Sequence, residues 1–250
     1  MQDFIDAFLL TFIVTFLLGS IPFGLIISKV FYKIDIRDHG SGNIGTTNAI
    51  RTMGKLGGYA VFLLDFGKGV LSGFVGIWIG QLFLHLRGKD AIAHELFSLL
   101  EPFGFGPIGD PSAFSVTFLQ ILLATSFLGC IWGHIFSPWL KFKGGKGIAV
   151  AVGCCFIVFG VVGACLELVI FIVLVVLTRY VSIGSMAAAL ACPFFSLFYF
   201  WGSWIAVFIC SVAGLTVFWA HRENLKRLRR GTENRIGDKK KMAASKGANT

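Results

Sequence analysis

Seven stretches of nearly unbroken apolar residues, separated by short polar connections, dominate the chain: residues 4–28, 57–86, 113–137, 147–163, 165–180, 184–200 and 204–220. A bilayer core takes about 20 mostly apolar residues per spanning helix, so the pattern predicts an all-α integral membrane protein with seven transmembrane helices. A spanning β-barrel would alternate apolar and polar positions, whereas residues 166–177 are apolar at nearly every position. The first stretch carries Asp3 and Asp6 in place of a basic leader and has no small-residue cleavage site, which reads as a retained helix. The second is long enough to tilt or to break at Gly67 or Gly69, and the fourth and fifth meet in a tight hairpin near Gly163.

Composition agrees: 56% of the 250 residues are hydrophobic and 14% are charged, too few to cover a soluble surface. The net charge of +9 would suggest nucleic acid in a soluble protein, but its placement points elsewhere. Lys29, Lys33, Arg37, Arg51 and Lys55 follow the first stretch, Lys141, Lys143 and Lys146 the third and Arg179 the fifth, and ten more lie between Arg222 and Lys246. Only Arg87 and Lys89 fall on the other side, with Lys68 inside a stretch. Basic residues in short loops favour the cytoplasm, so the N-terminus is expected outside and the C-terminus inside, and no nucleic-acid partner is expected. Residues 1–230 form the membrane domain. Residues 231–250, with Lys239, Lys240 and Lys241, read as a disordered cytoplasmic tail beside anionic lipid. The external segment 87–112 includes an amphipathic run at 91–100 that suits a short interfacial helix. The six cysteines fall in apolar stretches without metal or redox spacing and are expected to pack helices; neither a metal nor a cofactor is expected.

Three polar clusters share the predicted cytoplasmic side. Residues 40–51 contain Ser41, Gly42, Asn43, Thr47, Asn48 and Arg51. Glycines admit an anion to the backbone amides, hydroxyls and amides add hydrogen bonds, and Arg51 can fork onto phosphate oxygens. Gly40, Gly42 and Gly45 match a dinucleotide fingerprint, but that motif needs a βαβ unit, which two flanking membrane spans leave no room for. The second cluster, residues 133–147, packs Lys141, Lys143, Gly144, Gly145, Lys146 and Gly147 into a compact cationic loop. A positive-inside anchor with belt aromatics explains Trp139 and Lys141 but not the glycines. It is not a Walker A loop, since Gly147 follows Lys146 where Ser or Thr is needed. The third is His221, Arg222, Glu223, Asn224, in which His221 and Asn224 share a helix face. Asp65 and Lys68 also share a face inside an apolar stretch, and are either a structural ion pair or part of a substrate site. Glu167 is expected near the external hairpin, snorkelling or capping.

These segments resemble the bacterial acyl-phosphate:glycerol-3-phosphate acyltransferase (PlsY) family over nearly the whole chain. The resemblance rests on Gly-Ser-Ile-Pro-Phe-Gly at 19–24, Gly-Ser-Gly-Asn-Ile-Gly-Thr-Thr-Asn at 40–48 with Arg51, Leu-Leu-Asp-Phe-Gly-Lys-Gly at 63–69, the 133–147 cluster, Thr-Arg-Tyr-Val-Ser-Ile-Gly-Ser at 178–185 and His-Arg-Glu-Asn at 221–224. It implies seven membrane helices and transfer of a fatty acyl group from acyl phosphate to the sn-1 hydroxyl of glycerol 3-phosphate, giving lysophosphatidic acid and inorganic phosphate in a bacterial cell membrane, with membrane lipid and the enzyme that supplies acyl phosphate as partners. It places Ser41, Arg51, Lys146, His221 and Asn224 at the catalytic site around the phosphate-bearing substrates, joined by Ser185 and Ser182; Gly42, Asn43, Thr47, Asn48, Lys143, Gly144 and Gly145 are expected, from the make-up of the first two clusters, to bind substrate phosphate as well. Two departures, Thr46 where the family commonly has Ala and a longer segment at 87–112, are expected to leave the site untouched.

Acyl phosphate brings its own leaving group, so such a site has to align two anions and stabilise developing charge. His221 or a substrate phosphate oxygen would take the hydroxyl proton. The His/Asp pair of other glycerolipid acyltransferases, five residues apart, is matched by His85 and Asp90, but on the predicted external side. The competing reading is a transporter of a phosphorylated solute, which would distribute polar groups along a route through the membrane.

Overall fold

The computed structural model describes residues 2–86 and 114–237, and every regular element among them is helical. The helices are α1 (Gln2–Ser20), α2 (Phe23–Phe31), α3 (Thr46–His85), α4 (Phe114–Ile135), α5 (Ile148–Val158), α6 (Gly160–Thr178), α7 (Val181–Tyr199), α8 (Trp204–Ala220) and α9 (Arg222–Arg229). The expected interfacial helix at 91–100, Asp90 and the lysines of the distal tail lie outside the described residues.

Among the described residues, five stretches are long and apolar enough to cross a membrane: Phe4–Phe31, Thr46–His85, Val116–Leu140, Gly160–Thr178 and Val181–Tyr199. Helices α8 and α9, which meet at a 45° bend, make a sixth if taken as one span. The expected fourth span is the 11-residue α5, about 16 Å long at the helical rise and short of a bilayer core by itself. The protein is thus an all-helical integral membrane protein with five to six candidate spans by length and composition.

Two expected breaks are displaced. Helix α3 does not break at Gly67 or Gly69; it kinks at Gly54, whose φ of 78° and ψ of −176° only glycine adopts readily. Gly69 stays helical because its missing side chain admits α5: a Cβ there would lie 2.2 Å from the Val150 carbonyl oxygen. Likewise the α5–α6 turn falls at Gly160, with φ 65°, while Gly163 packs against Tyr199.

Helix α4 is the axis of the bundle and packs against α1, α3, α5 and α8. Apolar burial gives little drive between helices in lipid, so close backbone approach matters more, and small residues supply it. A Cβ on Gly133 would lie 2.0 Å from the Phe16 carbonyl oxygen of α1, and one on Gly19 2.2 Å from that of Cys130. The hydroxyls of Thr125 and Ser126 are satisfied by carbonyls of their own helix, those of Ile121 and Leu123. Of the cysteines, Cys130, Cys154, Cys155, Cys192 and Cys210 are buried and Cys165 is exposed; none is in a disulfide.

Candidate active site

The connections that follow α2, α4, α6 and α8 converge on a cavity of about 420 Å³. Its polar end is lined by Ser41, Asn43, Thr46, Thr47, Asn48, Arg51, Lys146, Ser182, Ser185, His221 and Asn224, and by Arg227 and Glu233. Ten of the fourteen expected site residues therefore meet there; Gly42, Lys143, Gly144 and Gly145 do not line it.

The first loop is built around Asn48, which is 2% exposed. Its Nδ2 donates to the carbonyls of Ile36 (3.1 Å), His39 (3.0 Å) and Asn43 (2.8 Å), and its Oδ1 accepts from the Ser41 amide at 2.8 Å. Asn43 Oδ1 accepts from the Gly45 amide at 2.9 Å. These hydrogen bonds commit both side chains to shaping the loop. Arg51 makes no hydrogen bond or ion pair among the described residues, and the buried Thr46 Oγ1 has no partner either. Thr46 was expected to lie clear of the site; it lines the cavity because it opens α3, where the chain turns in behind Gly45.

The second loop corrects the expectation that its glycine amides cradle phosphate. The Gly144 amide donates to the Ile135 carbonyl at 2.9 Å and the Gly145 amide to that of His134 at 3.0 Å, so both serve the fold. The glycines are needed for close approach: a Cβ on Gly144 would lie 2.0 Å from the His134 carbonyl oxygen, and one on Gly145 2.1 Å from His134 Nε2. The turn exposes Lys141 and Lys143 and directs Lys146 inward, where its Nζ donates to Asn224 Oδ1. Burial lowers the Lys146 ammonium to about 8; Arg227 and Arg51 push the same way, and Glu233 opposes them.

Below this loop His134 is held by Lys68. The Lys68 ammonium donates to His134 Nδ1 at 3.0 Å and to the Ile21 carbonyl at 2.8 Å, and stands 2.8 Å from Asp65 Oδ1 as an ion pair without full hydrogen-bond geometry. All three side chains are at most 4% exposed, and Asp65 and His134 line the cavity.

On the third side His221 caps α8, with its Nδ1 2.8 Å from the Val217 carbonyl oxygen. A carbonyl only accepts, so Nδ1 carries the proton and Nε2 keeps its lone pair. Asn224 Nδ2 and Arg227 Nε donate to the two oxygens of Glu233, each at 2.7 Å. Partial burial alone would raise the Glu233 carboxyl, but these donors hold it below the ordinary glutamate range. The Ser182 hydroxyl is close enough to help hold that charge, yet makes no hydrogen bond of ordinary geometry. Residues 231–237, expected to begin a disordered tail, instead fold back over the site: the Ile236 amide donates to the Arg179 carbonyl at 2.8 Å and Arg179 Nε to the Ile236 carbonyl at 2.9 Å. The pattern of apolar stretches held no signal for this return, and Glu233, Arg227 and Thr46 were missed. Only the spacing of Asn224 and Arg227 along a helix that begins at Arg222 could have suggested a shared acceptor.

Arg51, Lys146 and Arg227 outweigh Glu233, so the polar end attracts an anion. The rest of the cavity is walled by Phe62, Phe66, Val152, Phe156, Leu168 and Phe171, which exclude water from an apolar group. Fold and cavity together define a membrane-embedded protein for an anionic substrate with an apolar part. The sequence profile described as glycerol-3-phosphate acyltransferase matches residues 9–231. A glycerol-3-phosphate acyltransferase of Thermosynechococcus vestitus is 34% identical over 90% of this chain and 93% of its own, and one of Bacillus anthracis is 35% identical over 91% and 98%. The crystal structure of PlsY (YgiH), an integral membrane glycerol 3-phosphate acyltransferase, in its glycerol 3-phosphate form superposes with a TM-score of 0.67 at 30% identity, covering 92% of this chain and 96% of that one; its lysophosphatidic acid form gives 0.64. The chain belongs to the glycerol-3-phosphate acyltransferase family, which sets the transporter reading aside.

Proposed function

We propose that the protein transfers a fatty acyl group from acyl phosphate to the sn-1 hydroxyl of glycerol 3-phosphate. The observation that carries this is the joining of a cationic, hydroxyl-lined end and an aromatic, aliphatic end in one cavity, which suits an anionic carbonyl donor with a long apolar tail. The sn-1 oxygen attacks the acyl carbon, the bond from that carbon to the phosphate oxygen breaks, and inorganic phosphate departs with the electron pair. Arg51, Lys146 and the hydroxyls of Ser41, Thr47, Ser182 and Ser185 hold the two phosphates and oppose the charge that grows on the carbonyl and leaving oxygens. Asn48 fixes the first loop. The hydroxyl proton passes to the free Nε2 of His221 or to a phosphate oxygen of the donor, and a pH–rate profile of His221→Ala separates the two: nearly intact kcat assigns the proton to the phosphate.

The site is proposed to face the cytoplasm, with seven passes and the N-terminus outside. In support, α1–α2, α4, α6 and α8 run toward the cavity end and α3, α5 and α7 run away from it, so seven segments alternate in direction. The basic residues cluster at the same end, as the positive-inside rule requires. Labelling of a cysteine placed at Lys143 in inside-out but not right-side-out vesicles is the expected result. Purified protein in detergent, given palmitoyl phosphate and glycerol 3-phosphate, should release lysophosphatidic acid and inorganic phosphate in equal amounts. Product from palmitoyl-coenzyme A and none from palmitoyl phosphate would refute the donor assignment.

A further inference from the structure

Within the bundle, next to the substrate cavity, lies a second cavity of about 40 Å³. Ile148, Val152, Leu168 and Phe171 line both, so the two are adjoining parts of one passage. It leads away from the phosphate end along α5, from Ile148 beside Lys146 to Cys155 about 10 Å deeper by the helical rise. Opposite α5 the wall is made of small residues, Ala164, Ala188, Ala189 and Gly214. One polar group stands among them: Glu167, whose Oε2 accepts from Cys155 Sγ at 3.1 Å and whose buried Oε1 has no partner. It was expected to snorkel or cap at the external hairpin, and its carboxyl oxygen instead points into the protein. The transfer chemistry uses none of these side chains.

An acyl chain whose carbonyl is held at the phosphate end has two ways out. It can pass sideways by Phe62, 37% exposed on the lipid-facing side, or continue into the second cavity. The sideways route moves methylenes from lipid to lipid and discriminates nothing. The inner route runs between walls that are mostly buried, among them Phe127, Cys155, Ala189, Cys192 and Val217, and such an apolar cavity rejects a methylene too many by a factor of about ten or more. An unpartnered carboxyl oxygen at its depth also repels further hydrocarbon, because a chain pressed against it removes any chance of a hydrogen bond.

We propose that the second cavity receives the distal methylenes of the donor, and that Ala188 on its wall and Glu167 in its depth set the acyl-chain length the enzyme prefers. This rests on the acyl-phosphate reading above. Ala188 is the place to test it, since Gly214 has no room: a Cβ there would lie 2.7 Å from the Ala189 carbonyl oxygen.

The experiment compares kcat/KM of the purified protein for lauroyl, myristoyl, palmitoyl and stearoyl phosphate. Ala188→Leu is expected to lower palmitoyl and stearoyl relative to lauroyl phosphate by about tenfold or more, with lauroyl turnover kept within about threefold. Glu167→Leu is expected to move the preference the other way, toward stearoyl phosphate. Should Ala188→Leu fail to fold, Ala151→Leu carries the same test from the α5 wall. Unchanged chain-length ratios in these variants, or ratios that shift only in Phe62→Ala, overturn the inference and send the chain sideways into the bilayer. Absence of turnover by the unmodified protein with every acyl phosphate overturns the donor assignment, and this inference with it; turnover with unaltered ratios overturns this inference alone.

Discussion

Two lysines of this protein stand at the same end of the bundle, Lys68 buried and Lys146 half-buried, and they differ in what surrounds them. Lys68 is answered by the protein: a carbonyl and an imidazole nitrogen accept from it, and a carboxylate balances its charge as an ion pair. Lys146 has one neutral partner, Asn224; two other cations, Arg51 and Arg227, press on it, and the one carboxylate that opposes them, Glu233, is hydrogen-bonded to Asn224 and Arg227. A buried charge with its partners in place is part of the fold, and removing one partner costs several kcal/mol while replacing the whole set costs little. A half-buried charge without an anion of its own suits the binding site proposed above. Of the two readings of Asp65 and Lys68, the contrast favours an ion pair that supports the site from below, through His134 and the amide of Gly145.

The sharpest way to break this contrast is to remove each ammonium. Lys146→Met should lower kcat/KM by about 10³-fold, as losing a principal charge stabiliser of a transition state does, with the melting temperature unchanged or higher. A marked loss of stability with modest loss of activity would reverse the roles. Lys68→Met should act the opposite way and destabilise by about 3–5 kcal/mol, because it strands Asp65. The double variant Asp65→Leu/Lys68→Met removes the pair together and should regain most of that stability and much of the activity. If the double variant is well folded but inactive, then the pair belongs to substrate binding after all.

A smaller effect is expected where the protein answers itself in a loop. Asn48→Ala deletes the hydrogen bonds that hold the Ser41, His39 and Asn43 backbone, and is expected to raise KM for glycerol 3-phosphate about tenfold with kcat changed less. A kcat effect with unchanged KM would place Asn48 on the reacting atoms.

Asn48 also shows what a sequence can and cannot disclose here. The helices were legible because burying a backbone in lipid requires them, and the cationic clusters because charge in an apolar chain has few reasons to be there. Which groups stay free for a ligand depends on where each N–H and C=O goes after folding. Gly144 and Gly145 have the composition of an anion cradle, yet their amides are donated to His134 and Ile135. Thr46 joins Thr47 on the cavity wall because both open α3 there, and only the fold shows that its hydroxyl is buried without a partner. Glu233 sits in a stretch without apolar pattern, and nothing local says that Asn224 and Arg227 recapture it. Helix α3 bends at Gly54 and not at Gly67 for a like reason: Gly54 has nothing within 4 Å to resist a side chain, so its φ is what calls for glycine, while Gly69 one helical turn from the pair at Asp65 is fixed by the approach of α5.

The pH dependence offers the smallest effect and the most direct reading of the contrast. Lys146 is lowered to about 8, first by burial, so in the free enzyme it loses its proton as pH rises through that value. In the proposed site the cation is the form that would hold phosphate. Between about pH 7, where the substrate phosphate is already a dianion, and pH 8 the site is charged and affinity for glycerol 3-phosphate is level; above it each binding event must first take up a proton, so KM rises toward tenfold per pH unit while kcat, measured with the substrate holding the proton in place, changes less. Lys146→Arg keeps its charge far above this range and should flatten the rise, even if poorer fit lowers the rate at every pH. Lys68→Arg should leave the rise where it is. A basic limb that persists in Lys146→Arg would show that another group carries it, and would remove the claim that the unanswered lysine is the one the substrate answers.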